Sequence, residues 1–191
     1  MEIVNIDQFV AGLCSIPEDD FEVERVAEFV KEHPVDEQSL RPYMFFSKSH
    51  YTRNLIFKNS LFELIAICWE VGQVSRIHNH HNQNCWMAVP MGRLRVQNFR
   101  VVEQDEKTGY CHLEPTEAFN IHRSMPTSVD PAEPVHQVLN LSEFNERALS
   151  LHVYSRPYDA CLVYALAQNH YAQVPLHYSS EYGTLCKGEQ L

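Results

Sequence analysis

Residues 72–92 read GQVSRIHNHHNQNCWMAVPMG and hold the most informative pattern in the chain. His78 and His80 are two residues apart in a segment that we predict to be a strand, and Cys85 follows five residues after His80. Side chains alternate across a strand, so residues two apart project to the same side and can bind one ion. The pattern therefore predicts a metal site whose first two ligands are His78 and His80.

Short segments rich in β-branched and aromatic residues begin at Phe62 and are separated by turn-forming residues such as Gly92, Gly109 and Pro131. Many such segments at short intervals are typical of an antiparallel sandwich or closed barrel. The predicted strands are 62–71, 86–90, 94–102, 110–113, 148–155, 161–166 and 172–179. We therefore expect a mostly β fold.

The N-terminal part has a different pattern. Residues 17–33 read PEDDFEVERVAEFVKEH, with apolar residues at helical spacing from Val23 to Val30, acidic residues at the start and Pro34 just beyond. These features predict a helix. We expect residues 1–45 to form a helical cap packed outside a barrel of about residues 46–182, with residues 1–191 as a single domain.

Charge and composition narrow the classes of partner. The chain of 191 residues is 45% hydrophobic, and 15 Lys and Arg against 25 Asp and Glu give a net charge of −10. This balance disfavours nucleic acid and anionic lipid as partners. The start lacks a basic leader, no segment reaches the roughly 20 apolar residues of a membrane span, and the six cysteines form no C-x-x-C pair. We expect a cytoplasmic monomer with reduced thiols.

The spacing of glycines around the histidines resembles the first motif of the cupin superfamily, with Gly72 and Gly92 flanking the pattern. His136, followed by Asn140, resembles the second motif. Pro131 is also in register, whereas Glu133 stands where that motif usually has glycine. The resemblance implies a jelly-roll barrel and a third metal ligand at His136.

Cys85 stands where most cupins have a glutamate ligand. The metal would then keep three neutral histidines, and up to three positions of an octahedral ion would stay free for a substrate that brings its own anionic ligand. The chain has eleven histidines, so the alternatives are that His81, His112 or His122 is the third ligand, or that all of these histidines are surface residues.

Two further groups have residues spaced two apart. Ser150, His152 and Tyr154 share one face of a predicted strand and could form a hydrogen-bonded row that reaches the metal pocket. Tyr51 and Arg53 form the other pair, and the planar guanidinium of Arg53 is suited to binding a carboxylate. The alternative is that Tyr51 and Arg53 flank a surface loop. The side chains of Ser150, His152 and Tyr154 would then only fill the barrel interior.

These pieces occur together in one order: YTRN at 51–54, CW at 68–69, I-H-x-H-x4-C at 77–85, H-x3-N at 136–140 and S-L-H-x-Y-S-x-P-x-D-x-C at 150–161. In this order the chain, from about residue 40 to 182, resembles eukaryotic-type cysteine dioxygenases.

The resemblance implies a role for each group of residues. His78, His80 and His136 would bind Fe(II), Arg53 and Tyr51 would contact the substrate carboxylate, and Tyr154 would lie over the iron, supported by Ser150 and His152. It also implies a thioether bond between Cys85 and Tyr154.

The predicted activity is oxidation of L-cysteine by O2 to 3-sulfinoalanine, the first step of cysteine catabolism and taurine biosynthesis in that family. A dioxygenase of 3-mercaptopropionate or cysteamine is the nearest alternative, although Arg53 disfavours cysteamine, which has no carboxylate. A zinc hydrolase or isomerase also suits three histidines. A non-enzymatic ligand-binding module is the remaining alternative.

Overall fold

The computed structural model describes residues 2–123, 125–129, 134–189 and 191. Two α-helices come first, α1 over Ile6–Ser15 and α2 over Val23–Glu32. Asn5 begins α1 with a capping box, since its side chain accepts a hydrogen bond from the Gln8 amide at 2.9 Å and the Gln8 side chain accepts one from the Asn5 amide at 3.0 Å. No helix of the described residues is both long and apolar enough to cross a bilayer.

The helix predicted over residues 17–33 is divided in two. Glu18–Asp20 form a separate 3₁₀ turn, and the backbone leaves helical geometry at Phe21 before α2 begins at Val23. The break places the Phe21 ring in the core, 5.4 Å from the Phe62 ring and 5.8 Å from the Trp86 ring. The free energy gained by burying this aromatic side chain is larger than the free energy gained by extending one helix through Phe21.

The rest of the described chain is mostly strand, connected by turns and short 3₁₀ segments. The strands are β1 Thr52–Lys58, β2 Glu63–Trp69, β3 Ile77–His78, β4 Asn84–Met91, β5 Arg93–Asp105, β6 Tyr110–His122, β7 Thr127–Ser128, β8 Val135–Leu139, β9 Ala148–Ser155, β10 Ala160–Ala165, β11 His170–Pro175, β12 Ser180–Glu181 and β13 Thr184–Leu185. The predicted mostly β fold is confirmed.

These strands form two sheets. One has the order β13-β12-β1-β2-β9-β4-β7, and the other closes on itself in the order β10-β11-β6-β5-β8-β3. Inner side chains of both sheets meet in one hydrophobic cluster that includes Ile65 and Ile67 of β2, Leu94 of β5 and Val138 of β8. The space between the sheets is where the candidate site lies.

The helices pack on the outer face of the seven-stranded sheet, as the sequence predicts. Phe9 and Leu13 of α1 and Val26 of α2 share a buried cluster with Leu64 and Leu151. Strand β2 is therefore buried on both faces, which explains its nearly continuous apolar sequence. The division into a cap of residues 1–45 and a barrel of about 46–182 stays a prediction.

Two strands that shape the site were not among the predicted segments. Strand β1 reads TRNLIFK and β8 reads VHQVL, and both contain polar residues that interrupt the apolar pattern. Among these polar residues, Arg53 and His136 share the inner face with Leu55 and Val138 and belong to the candidate site. A rule based on apolar alternation misses strands of this kind because it assumes that inward-facing residues are apolar.

Candidate metal centre

Three imidazoles converge between the sheets. His78 ends β3 and is directly paired with His136 of β8, and their rings lie 4.8 Å apart. The ring of His80 lies 5.2 Å from that of His78 and 4.7 Å from that of His136. Candidate ligand atoms of all three residues lie within 4.8 Å of one another. This spacing fits a mononuclear metal site.

The prediction that one strand carries both His78 and His80 is wrong in detail. Strand β3 ends at His78, and the chain then turns, with left-handed backbone at His81 (φ 51°) and Asn82 (φ 60°). The turn is closed by a hydrogen bond of 2.8 Å from the Gln83 amide to the His80 carbonyl. His80 therefore reaches the cluster because a turn brings it there, whereas strand alternation does not apply to it.

Burial keeps these imidazoles neutral. It lowers the pKa of His78 to about 4, and it lowers the pKa of His80 and His136 well below the usual range, with neighbouring histidines adding to the effect. Nδ1 of His78 lies 2.8 Å from the Arg76 carbonyl oxygen, to which it donates, so Nε2 keeps its lone pair. Nε2 of His80 and of His136 is buried without a partner among the described residues. Neutral, unpartnered nitrogens are what a metal ion requires.

The alternative ligands lie elsewhere. His81 stacks near Tyr158 at 6.5 Å, His112 lies 3.9 Å from Glu114, and His122 is paired in register with Arg93 in the β5–β6 hairpin. Within the described residues, the one group of three potential ligands at metal-binding distance is His78, His80 and His136. Pro131 and Glu133, which belong to the second sequence motif, lie outside the described residues.

The row predicted on β9 forms a continuous chain of hydrogen bonds. Ser150 Oγ lies 2.8 Å from Nε2 of His152, and Nδ1 of His152 lies 3.1 Å from the hydroxyl of Tyr154. At the far end, Nε1 of Trp69 donates to Ser150 Oγ at 3.0 Å. The Tyr154 ring lies 5.8 Å from the ring of His80. The row therefore runs from the core to the histidine cluster.

Cys85 lies opposite this row. It is paired in register with Tyr154 across β4 and β9, and its Sγ lies 4.0 Å from Nδ1 of His152. Burial raises the pKa of both the Cys85 thiol and the Tyr154 phenol, so both groups keep their protons near neutral pH.

Arg53 lies on β1 and faces the same space. Its Nε and Nη2 are buried without a hydrogen-bond partner among the described residues. Arg53, Tyr51 and His78 all line one cleft of about 720 Å³, and the Tyr51 ring stacks on Trp69 at 4.7 Å. A buried guanidinium with free donors is costly unless an anion pairs with it, so the cleft is suited to a carboxylate.

Trp69 and Tyr158 also belong to the site, although the sequence did not predict a role for either. Trp69 anchors the row through Ser150, and the Tyr158 ring packs edge-on against Tyr154 at 5.3 Å. Both stand inside the motifs quoted above, Trp69 in the CW pair and Tyr158 between Ser150 and Cys161. Their order along the chain could have indicated them, but their contacts depend on how the strands pair.

Three convergent imidazoles in a jelly-roll barrel, beside a cleft with a free guanidinium, define a mononuclear metalloprotein of the cupin class. Comparison with known proteins narrows this class. The family model for cysteine dioxygenase type I matches residues 3–167, and the chain belongs to this family.

Two cysteine dioxygenases agree with this assignment. The chain is 27% identical to cysteine dioxygenase type 1 of Danio rerio over 166 residues, which covers 86% of this chain and 81% of the relative. It is 29% identical to cysteine dioxygenase type 1 of Homo sapiens over 166 residues, 86% of this chain and 80% of the relative. A crystal structure of an uncharacterized conserved protein with a double-stranded β-helix domain from Klebsiella pneumoniae is 14% identical, with a TM-score of 0.47, over 72% of this chain and 96% of that one.

Proposed function

We propose that the protein oxidises L-cysteine with O2 to 3-sulfinoalanine. The observation that carries the proposal is the common cleft: His78 of the metal cluster and Arg53, with its unpaired donors, line the same cavity. A small thiol acid could then place its sulfur at the metal and its carboxylate at Arg53. Membership of the cysteine dioxygenase family supports the same substrate.

Fe(II) is the metal that we propose for His78, His80 and His136. The donor set fits, because the three imidazoles are neutral and the Nε2 atoms of His80 and His136 have no other partner in the described chain. When bound, Fe(II) would coordinate the substrate thiolate and supply electrons to O2. The three histidines leave positions free for these ligands.

The other residues would bind and orient the substrate. Arg53 and Tyr51 would contact the carboxylate, and the fixed fork of the guanidinium would select chain length and stereochemistry. The Tyr154 hydroxyl would donate a hydrogen bond to oxygen as it is transferred to sulfur. His152, fixed by Ser150 at 2.8 Å, would hold that hydroxyl in position.

We also infer a cytoplasmic, monomeric enzyme whose partners are L-cysteine and O2, in the pathway of cysteine catabolism that leads to taurine. The acidic net charge of −10 and the lack of C-x-x-C pairs support this environment. Size-exclusion chromatography with light scattering would test the oligomeric state directly.

Oxygen consumption by the iron-loaded protein tests the function. We expect uptake with L-cysteine, weak uptake with cysteamine and formation of 3-sulfinoalanine, detected by mass spectrometry. Faster turnover of 3-mercaptopropionate than of L-cysteine would assign the related thiol dioxygenase instead. Full activity of the zinc-loaded protein in a hydrolytic assay, without oxygen uptake, would refute the proposal.

A further inference from the structure

An ionic cluster around one buried carboxylate, with an exposed lysine and a half-buried tyrosine, lies beside the cleft and takes no part in the roles above. It consists of Lys58, Glu63 and Tyr178. The Glu63 side chain has no exposed surface, and its Oε2 accepts a hydrogen bond from the Tyr178 hydroxyl and lies 3.5 Å from Nζ of Lys58. Nζ of Lys58 also donates to the Tyr178 hydroxyl at 3.2 Å and lies 5.5 Å from the centre of its ring.

The cluster connects three separate parts of the chain. Lys58 is the last residue of β1, and it is paired in register with Glu63, the first residue of β2. Tyr178 lies in the segment that follows β11. Burying a carboxylate is costly unless charges and hydrogen bonds compensate for it. Glu63 has both on one oxygen, whereas its Oε1 has no partner in the described part of the chain. The buried Glu63 carboxylate is therefore compensated mainly through its contacts with Lys58 and Tyr178, and its hydrogen bond restricts the position of the Tyr178 hydroxyl.

The position of Glu63 relates the cluster to the reacting groups. On its other side Glu63 is paired in register with Tyr154, so both side chains point to the inner face of the sheet. Tyr178 lies in the wall of the cleft that Arg53 and His78 also line.

The segment that carries Tyr178 is fixed next to Arg53. The Ser179 amide donates to the Arg53 carbonyl at 2.7 Å, and the Tyr182 amide donates to the Leu55 carbonyl at 2.8 Å. These bonds hold the backbone, but they do not fix the Tyr178 hydroxyl, whose ring packs against the hydrophobic cluster that includes Leu55 and Ile65. The hydrogen bond to Glu63 supplies the missing constraint, because it fixes the far end of the ring.

Resting on the proposed function, we propose that Tyr178 is a specificity-determining residue that closes the carboxylate end of the cleft, and that Glu63 is the residue that positions it. A substrate held at the metal by sulfur and at Arg53 by its carboxylate has a fixed length. Because Tyr178 lines the same cleft as Arg53, its ring limits the space into which a longer substrate bound at Arg53 could extend. The site would thereby select cysteine over its longer homologue.

Kinetics with L-cysteine and L-homocysteine test this assignment. Tyr178→Ala should change the ratio of kcat/KM values for the two thiols by about tenfold or more in favour of homocysteine, which is the scale of one methylene in a fitted pocket. Tyr178→Phe keeps the ring and should raise the KM for cysteine with kcat within about twofold of wild type. Tyr182→Phe, an exposed tyrosine in the same segment, is the matched control and should change neither value.

A double-mutant cycle tests the role of Glu63. Glu63→Leu should reproduce the effect of Tyr178→Phe, and the double variant should be no worse than the stronger single variant, since both remove the same contact. Glu63→Gln keeps an acceptor for the hydroxyl and should restore most of the loss. Glu181→Gln is the control for an exposed carboxylate of the same segment.

Hydrogen exchange separates this inference from the proposed function. The amides of Ser179 and Tyr182 should exchange faster in Glu63→Leu than in wild type, whether or not the protein oxidises cysteine. Lack of cysteine oxidation by wild type would refute the function alone. An unchanged thiol ratio in Tyr178→Ala, additive effects in the cycle, or unchanged exchange in Glu63→Leu would each overturn the assignment of Glu63 and Tyr178.

Discussion

Cys85 and Tyr154 face each other across adjacent antiparallel strands, as a direct register pair of β4 and β9. Such a pair places the two Cβ atoms about 4.5–5.5 Å apart, so the thiol and the phenol ring can meet without a change in the backbone. Both side chains are almost fully buried, at 2% exposure each, and they lie next to the histidine cluster through Tyr154 and His80. The pairing makes a covalent link geometrically possible.

We predict that turnover with iron, cysteine and O2 forms a thioether between Cys85 Sγ and the ring carbon next to the Tyr154 hydroxyl. The S–H and C–H bonds are lost, a C–S bond forms, and O2 accepts the two electrons and two protons. The link would restrict the rotamer of Tyr154 and fix its hydroxyl. Intact mass should show a fraction of the protein lighter by two hydrogen atoms, and a denaturing gel should show a faster band.

Cys85→Ser and Tyr154→Phe should abolish that band but keep reduced activity, because the three histidines and Arg53 remain. Cys111→Ser, at a buried thiol outside the site, should still form the band. Recovery of only separate Cys85 and Tyr154 peptides after many turnovers would contradict the cross-link while leaving the family assignment intact.

Removing a metal ligand should remove the metal. His78→Ala, His80→Ala and His136→Ala should each lose iron and turnover, since each takes one of three convergent nitrogens. His81→Ala and His122→Ala should keep iron near wild-type content. Elemental analysis of the purified variants by mass spectrometry gives the answer, and iron retained in His78→Ala but lost from His81→Ala would show that the ligand set is wrong.

Arg53→Ala should raise the KM for L-cysteine and lower kcat/KM. Removing one partner of a buried ion pair costs about 3–5 kcal/mol, which corresponds to roughly a hundredfold to several-thousandfold in kcat/KM. Cysteamine has no carboxylate, so its turnover should change little. The exposed Arg100, which pairs with Glu114, provides the control variant Arg100→Ala. Equal losses with cysteine and cysteamine would mean that Arg53 serves the fold.

Ser150→Ala should lower kcat more than it changes KM. The variant removes the partner that orients His152 and should cost about one hydrogen bond, or ~1 kcal/mol, which is roughly fivefold in rate. It also leaves the buried Nε1 of Trp69 without its acceptor, so denaturant unfolding should show a loss of about 1–3 kcal/mol. Ser39→Ala, whose Oγ accepts from the Ile6 amide in the helical part, should lose stability without the change in kcat.

Much of the site follows from local order along the chain. Ser150, His152 and Tyr154 were expected on one face of a strand because alternation has a fixed period of two, and β9 has the predicted bounds. His78 and Cys85 were located from spacing, whereas His136 was located from the resemblance of the segment ending at Asn140 to the second cupin motif. Side-chain alternation and residue spacing are properties of a single segment, so they can be predicted from the amino-acid sequence.

Properties that join distant segments could not be read in this way. Strand β1 was not predicted because its inward residue Arg53 is charged, and the convergence of His80 depends on a turn through two left-handed residues. The contact of Glu63 with Tyr178 joins residues 115 positions apart in the chain. Amino-acid order specified which groups are present and which face of a strand carries them. Strand pairing and burial specified which of them meet, because the free energy that holds a buried charge or a neutral imidazole in place comes from neighbours distant in sequence.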